Sequence, residues 1–378
     1  MAATKILIVA GDVSGDIHAA NLMAALKEEN PALHLTAIGG PRMRAWANDF
    51  WEDLASQGIT GFVEPVKKIP ELAQLLKRIR TYFQTEHPDA VIVVDYYGFN
   101  YRVLLLAKQF NIPCYYYVAP QVWASRQYRA KRLAALTKKM YVIYPFEPSF
   151  HEKFGGNAVF LGNPLLDKMP APLEKEYPVK DDKNYPWKLG LLPGSRPGEI
   201  SRLLPVFYQA FLKVVKKYPH THGYLFLLPQ ANEKEILSLL GRKEHPNFHF
   251  IKETDYKLRA QMDYLLACSG TATLENALLG IPMVVAYKMF YPTYLIARAI
   301  IKVQNISLVN ILAPKRIVKE LIQQDATAEN CAHETLEMFS HPKKLTTQRK
   351  QLLQLRTSLG EPGVAQRVAH DILTELNK

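Results

Sequence analysis

Short apolar runs alternate with longer amphipathic stretches almost from end to end, and this alternation constrains the fold more than any other feature. "KILIVAG", "LTAIGG", "AVIVVD", "CYYYVAP", "KMYVIYPF" and "AVFLGNP" are apolar at successive positions, not at every second one. A strand of that kind hides both faces, which fits the interior of a parallel sheet covered by helices on each side. Helical candidates at 17–29, 71–86, 101–110 and 126–137 lie between them. A second series follows with "KLGLLPG", "GYLFLLP", "FHFIKE", "YLLACSG" and "PMVVAYK". The two series are separated by 168–186, rich in Pro and charge and without periodicity. The expected fold is α/β, with two Rossmann-like doubly wound domains and ligands at the carboxyl ends of the strands. The domains are placed at 1–170 and 187–344, with a linker at 171–186. A polar helical tail, 345–378, is expected to pack back on an N-terminal domain, its own or a neighbour's, which leaves a homodimer open.

Composition narrows the partners. Among 378 residues, Lys and Arg number 47 against 35 Asp and Glu, a formal charge of +12 that suits anionic partners such as nucleotides, nucleic acid or an acidic membrane. Three cysteines, far apart, read as reduced thiols of a cytosolic protein. The N-terminus does not read as a signal peptide, and no run reaches the roughly 18 apolar residues of a spanning helix. The patterns of zinc hydrolases, nucleophile elbows, dinucleotide folds and P-loops are absent. No D-x-D stands where a metal would bridge a diphosphate, so neither metal nor cofactor is expected.

Both series open on a strand, a glycine turn and a helix start: "VAGDVSGDIHA" at 9–19 and "LLPGSRPGEIS" at 191–201. In the second, Gly194 lets backbone amides, those of Gly194 and Ser195, approach an anion, and the following helix adds its positive end. The Arg196 guanidinium suits phosphate oxygens, or it is a surface arginine paired with Glu199. In "CSGTATLE", Ser269, Gly270 and Thr271 offer amides and hydroxyls to a second phosphate. Glu275, one turn beyond Thr271, can take a ribose diol; a helix cap with a dipole-matched acid explains the same residues. "VIVVDYYGFN" leaves Asp95 at the carboxyl end of a strand, where partial desolvation would fit it for general-base work. Capping of the next helix is the structural alternative, and Asn100 follows at that helix start.

Trp123, following Tyr115–Tyr117 and preceding Arg126, Arg129, Lys131 and Arg132, reads as nucleic-acid stacking or as a strand end with a solvated helix face. The stretch 58–80 (Phe62, Val66, Lys67, Lys68, Leu72, Leu75, Leu76, Lys77, Arg78) and the stretch 289–302 (Arg298, Lys302) read as lipid-facing surface or as core helices with basic outer faces.

Taken in order, these motifs resemble the lipid-A-disaccharide synthases. The matching segments are "VAGDVSGD", "GGPRM" (39–43), "VD…FN" (94–100), "YYVAPQVWA" (116–124), "PFE" (145–147), "FLGNP" (160–164), "LLPGSR", "SGTATLE", "PMVVAYK" (282–288) and "NISLVN" (305–310). The resemblance implies the GT-B architecture, two domains facing a central cleft. It implies transfer of 2,3-diacylglucosamine from UDP to the 6′-hydroxyl of 2,3-diacylglucosamine 1-phosphate, with inversion, at the inner face of the cytoplasmic membrane. It also implies an anionic membrane surface as partner. The family's carboxylate falls on Asp95, its diphosphate arginine on Arg196 and its asparagine on Asn310. Its glycine-loop acid, normally Glu, is Asp12 here, beside Ser14, Gly15 and Asp16. The chain departs from the family pattern at Gly98, Ala119, Gln121, Ser125 and Asn163, which bear on acceptor fit more than on reaction class. An isomerase of UDP-N-acetylglucosamine on the same fold, and a basic nucleic-acid-binding module, are the competing readings.

Overall fold

The computed structural model describes residues 3–56, 69–229, 231–241, 245–290, 294 and 305–377. The chain divides into two units, one of Met1–Asp167 with Leu359–Lys378 and one of Lys168–Ser358.

The first unit carries a seven-stranded sheet of β1 (Lys5–Ala10), β2 (His34–Gly39), β3 (Asp49–Asp53), β4 (Ala90–Val94), β5 (Cys114–Tyr117), β6 (Lys139–Val142) and β7 (Ala158–Phe160). Its order is β3-β2-β1-β4-β5-β6-β7 and every pairing is parallel. Adjacent residues of β1 serve opposite faces. Ile6, Ile8 and Ala10 join one hydrophobic core, Leu7 and Val9 the other, and all five are fully buried. Two cores on one strand are why its sequence is apolar without alternation.

The second unit repeats the plan with six strands: β8 (Lys188–Leu192), β9 (His222–Leu227), β10 (Phe248–Lys252), β11 (Tyr264–Cys268), β12 (Met283–Tyr287) and β13 (Lys319–Ile322). Their order is β10-β9-β8-β11-β12-β13, again all parallel. In each sheet the strand order reverses beside the first strand, between β1 and β4 and between β8 and β11. These are the switch points where such sheets open to ligands.

Two strands lie outside the sequence reading. β3, "DFWED", and β13, "KELI", are edge strands. An edge strand is half-covered and needs no continuous apolar run.

The segment boundaries differ from those expected. Residues 168–186 hold no helix or strand but dock on the second unit, where Lys175 pairs with the buried Asp263 at 2.8 Å. The tail splits in two. The helix Pro342–Ser358 stays with the second unit, with Arg349 donating to the Gly280 carbonyl at 2.6 Å. The helix Val364–Leu376 returns to the first unit of the same chain and packs on the helix Val13–Glu29. Asp167 caps it, accepting from the Gly363 amide at 2.7 Å and the Val364 amide at 3.2 Å. Its buried Val364, Val368, Ala369 and Ile372 complete the core beneath β1.

Candidate functional site

One cavity of about 350 Å³ lies at the carboxyl ends of β8, β9 and β11. Gly194, Ser195, Arg196, Ser269, Gly270, Thr271 and Glu275 all line it, so the two loops singled out in the sequence meet in one place within the second unit. β8 leads through Gly194 into the helix Pro197–Lys217. Gly194 holds φ +116°, and a Cβ there would lie 2.6 Å from Glu199 Oε2, so both the turn and its neighbour require glycine. Arg196 extends outward, with four-fifths of its side chain exposed, and meets Glu199 Oε1 at 3.4 Å. The ion pair foreseen as the bland alternative is therefore present, but it is long and open to water.

On the opposite wall β11 runs into the helix Thr271–Leu278, whose N-cap is Gly270. Ser269 does not cap this helix. Its hydroxyl donates to the Ile306 carbonyl at 3.0 Å, tying the turn to the segment that precedes the helix Leu308–Leu312. Thr273 closes the turn by donating to the Gly270 carbonyl at 2.7 Å. Thr271, exposed, and Ala272 start this helix and line the cavity, where a helix start leaves amides without intrahelical partners.

Glu275 is held by a group the sequence reading missed. Arg259, nearly buried, donates to Glu275 Oε2 at 2.9 Å, to Asn276 Oδ1 at 3.3 Å and to Glu253 Oε1 at 2.9 Å, and a second nitrogen contacts Glu253 Oε2. Tyr256 donates its hydroxyl to Glu275 Oε1 at 3.2 Å. Burial pushes the Glu253 carboxyl up, against the pull of Arg259. Arg259 sits in "YKLRAQ" with no motif around it; only the need to balance buried acids would have pointed to it. Phe226 and Leu228, at the carboxyl end of β9, supply an apolar wall, and strand position alone would have found them.

At the corresponding switch point of the first unit stands Asp95, just past β4. It and Tyr96 both take left-handed backbone, with φ +49° and +35°. Two such residues in succession are strained and persist only where their surroundings hold them. Tyr116 donates its hydroxyl to the Asp95 carbonyl at 2.5 Å, and the buried Asn100 amide donates to the same carbonyl at 2.9 Å and to that of Val94 at 3.0 Å. Gly11 makes room for the Tyr96 ring, since a Cβ there would fall 2.0 Å from Tyr96 Cδ1. Asp95 does not cap the helix Tyr97–Gln109. That helix has Tyr96 as its N-cap, and Asp95 Oδ1 accepts only from the adjacent Tyr96 amide, at 2.9 Å. Burial, reinforced by the nearby Asp12 charge, pushes Asp95 up to about 6.

The glycine loop of this unit is more self-contained than expected. Asp12 caps its helix, accepting from the Gly15 amide at 2.6 Å. Asp16 is buried and spends its carboxylate on the Gly40, Met43 and Arg42 amides at 2.9, 3.0 and 3.2 Å. It anchors the "GGPRM" turn, leaving Ser14 as the exposed polar side chain of the four.

Asn310 does not line the cavity. Its Nδ2 donates to the Val318 carbonyl at 2.9 Å and to Glu320 Oε1 at 2.7 Å, while its Oδ1 accepts from the Ile317 and Val318 amides at 2.9 and 3.1 Å. All four hydrogen-bonding positions of the amide are filled, so it shapes the 305–310 segment and has nothing left for a substrate. Asn163 is likewise structural, with Nδ2 on the Ile143 carbonyl at 3.0 Å and Oδ1 accepting from Leu165 at 3.0 Å. Gln121 reaches the Tyr144 hydroxyl at 3.4 Å, Ala119 is buried, Ser125 is exposed, and a side chain at Gly98 would meet nothing within 4 Å.

Two surface readings change. Trp123 is buried and donates to Glu147 Oε1 at 2.9 Å, and Tyr115, Tyr116 and Tyr117 are core residues, so these four aromatics offer no stacking platform. Glu147 Oε2 also takes the Ile143 and Tyr144 amides at 2.9 and 2.8 Å, and its burial pushes it up to about 7. On the helix Ile69–Thr85, Leu75 belongs to the core and Leu72 and Leu76 pack against it, while Lys77 and Arg78 face outward. Arg78 lies over the Trp51 ring at 4.3 Å. The apolar residues described there pack into or against the core. Phe62, Val66, Lys67, Lys68, Arg298 and Lys302 lie outside the described residues. Among the described residues no helix is long and apolar enough to cross a membrane.

The comparisons agree with this geometry. A family model described as lipid-A-disaccharide synthetase matches residues 6–371. A lipid-A-disaccharide synthase of Syntrophus aciditrophicus is 36% identical over 381 residues, covering 99% of this chain and 98% of the relative. Among solved structures, a UDP co-structure of MnaA from S. aureus superposes with TM-score 0.63 at 16% identity, covering 99% of this chain and 97% of that one. MurG of Acinetobacter baumannii does so with TM-score 0.60 at 14% identity, covering 98% and 99%. At such identities these two show the fold alone, that of the GT-B glycosyltransferases and epimerases. With a matching family model over nearly its whole length and a full-length relative above 30% identity, the chain belongs to the lipid-A-disaccharide synthase family.

Proposed function

We propose that the chain is an inverting glycosyltransferase that moves 2,3-diacylglucosamine from UDP to the 6′-hydroxyl of 2,3-diacylglucosamine 1-phosphate, forming the β-1,6 disaccharide 1-phosphate and UDP. The observation that carries the donor half is the cavity of the second unit lined by both the Gly194–Arg196 and the Ser269–Thr271 turns, with Arg196 at its mouth and Glu275 on its wall. The diphosphate lies against the Gly194–Arg196 turn and the start of the helix Thr271–Leu278, and the ribose diol donates to Glu275. As the glycosidic C1–O bond breaks, charge grows on the leaving diphosphate and Arg196 with the helix ends stabilises it; the reading assigns that task to no metal ion.

The acceptor hydroxyl forms the new bond to C1 and gives its proton to Asp95. A carboxylate shifted to about 6 is ionised at neutral pH yet basic enough to take that proton. Family membership favours this transfer over the epimerisation known on the same fold, and the buried aromatics remove the support for nucleic acid. The acyl chains of both sugars bring the reaction to the inner face of the cytoplasmic membrane, where exposed Lys77 and Arg78 meet anionic head groups.

The direct test is UDP release from UDP-2,3-diacylglucosamine in detergent micelles containing chelator, with and without acceptor. Acceptor-dependent release is expected, and Arg196→Ala should lower kcat by about 10²- to 10³-fold. Failure to release UDP, from protein that still binds it, would overturn the reading; loss of release only in chelator would overturn the metal-free part.

A further inference from the structure

The turn assigned to the diphosphate already holds an anion, and the chain itself provides it. Glu199, in the first turn of the helix Pro197–Lys217, folds back so that Oε2 accepts from the Ser195 amide at 3.2 Å and the Arg196 amide at 3.3 Å. Its other oxygen faces the Arg196 guanidinium at 3.4 Å. These are three of the donors a diphosphate would use. The carboxylate fits because Gly194 has no side chain. All three contacts are long for charge-assisted hydrogen bonds, which ordinarily close to about 2.7–2.9 Å. Glu199 lines the cavity and its side chain is about one-sixth exposed, so it has a way out.

Charge around the cavity points the same way. The lining carries Arg196 and Arg259 against Glu199, Glu253 and Glu275. Arg259 is committed to Glu253 and Glu275 by three contacts, which leaves Arg196 as the cation available to a ligand among the lining residues. A doubly charged diphosphate would then enter a cavity of net negative lining while Glu199 stays in place.

We infer that Glu199 is an intramolecular competitor for the diphosphate, occupying the Ser195–Arg196 amides when UDP is absent and leaving them when the nucleotide binds. This rests on the nucleotide reading of the cavity given above. It gives Glu199 a function in turnover: the carboxylate returns as the product UDP departs, so that donor-site affinity is held down and release is favoured. Gly194 is then required twice, for the turn and for its occupant.

Titration calorimetry of the full-length protein with UDP and with uridine tests it. Wild type should bind UDP, and Glu199→Gln should bind it about 5- to 20-fold more tightly, because a neutral amide competes less well for charge-seeking donors. Uridine, lacking phosphates, should bind both proteins equally. If Glu199→Gln does not fold, Glu199→Asp keeps the acid at the helix start but is one methylene too short for both amides, and should shift UDP affinity in the same direction. Equal or weaker UDP binding by the folded variant, with wild type binding UDP, would overturn the competitor role and make Glu199 a prop of the turn. No UDP binding by either protein would overturn the nucleotide reading, and the competitor role with it. A parallel gain for uridine would show a general change in the cavity, which also overturns it.

Discussion

The two glycine turns that open the two sheets share a topology and differ in what their carboxylates do. At the end of β1, Asp12 precedes its helix and binds the Gly15 amide at 2.6 Å, while Asp16 is locked by three amides from another turn. At the end of β8, Glu199 follows the helix start and reaches back over bonds of 3.2 and 3.3 Å. At the first turn the acids before and inside the helix are held by short bonds to fixed amides. Beside it the strained Asp95 is pressed into a less polar setting and is pushed up to about 6, which suits it to the base role proposed above. A loosely held acid leaves the second turn open to exchange. The same backbone plan thus carries a carboxylate pushed up by burial in one unit and amides loosely held by a carboxylate in the other, and placement of the acid by a few residues makes the difference.

Breaking the comparison at its most sensitive point means removing the base. Asp95→Asn should lower turnover by about 10²- to 10⁴-fold while leaving UDP affinity within about 2-fold. The pH dependence carries the sign. Wild-type Asp95 accepts a proton only when ionised, so kcat/KM should fall as pH drops through about 6, and that acid limb should vanish in the variant. An unchanged limb in Asp95→Asn would show that another group titrates. The raised value also means that the folded protein holds this proton more tightly than the unfolded chain does. Its charge therefore costs stability above about pH 6, and the cost is relieved as pH falls through that value.

Asn310 sharpens the contrast between a group that touches substrate and one that only shapes the site. Asn310→Ala strands the Ile317 and Val318 amides and Glu320, and should lower unfolding stability by about 2–3 kcal/mol, read by denaturant titration. Folded Asn310→Ala should keep kcat/KM within about 10-fold of wild type, whereas a group acting on the reacting atoms would lose about 10²-fold or more.

The smallest expected effect is at Gly98. Gly98→Asp adds an acid to the first turn of the helix Tyr97–Gln109 in open space, so stability should rise by about 0.3–1 kcal/mol. The added charge should also move the Asp95 acid limb to higher pH. A thermal melt and a pH profile of this one variant report both; an acid limb that stays where it is in wild type would mean that the two carboxylates do not interact.

Local physics made much of this protein legible in its sequence. Continuous apolar runs announced the central strands because residues such as Leu7 and Ile8 face two different cores. Strand–glycine–helix junctions announced the switch points, and seven residues chosen from two loops line one cavity. Tertiary structure alone decided how side-chain valences are spent. Asp16 is bound by amides 24 to 27 residues away, Asn310 by residues up to 10 away, and Glu275 by an arginine 16 residues before it. A hydrogen-bonding group satisfied by partners the chain brings together only on folding looks, in sequence, the same as one waiting for a ligand. The apolar face of Ile69–Thr85 and the returning helix Val364–Leu376 follow the same rule. Periodicity shows that a face must be buried, and only packing shows against what.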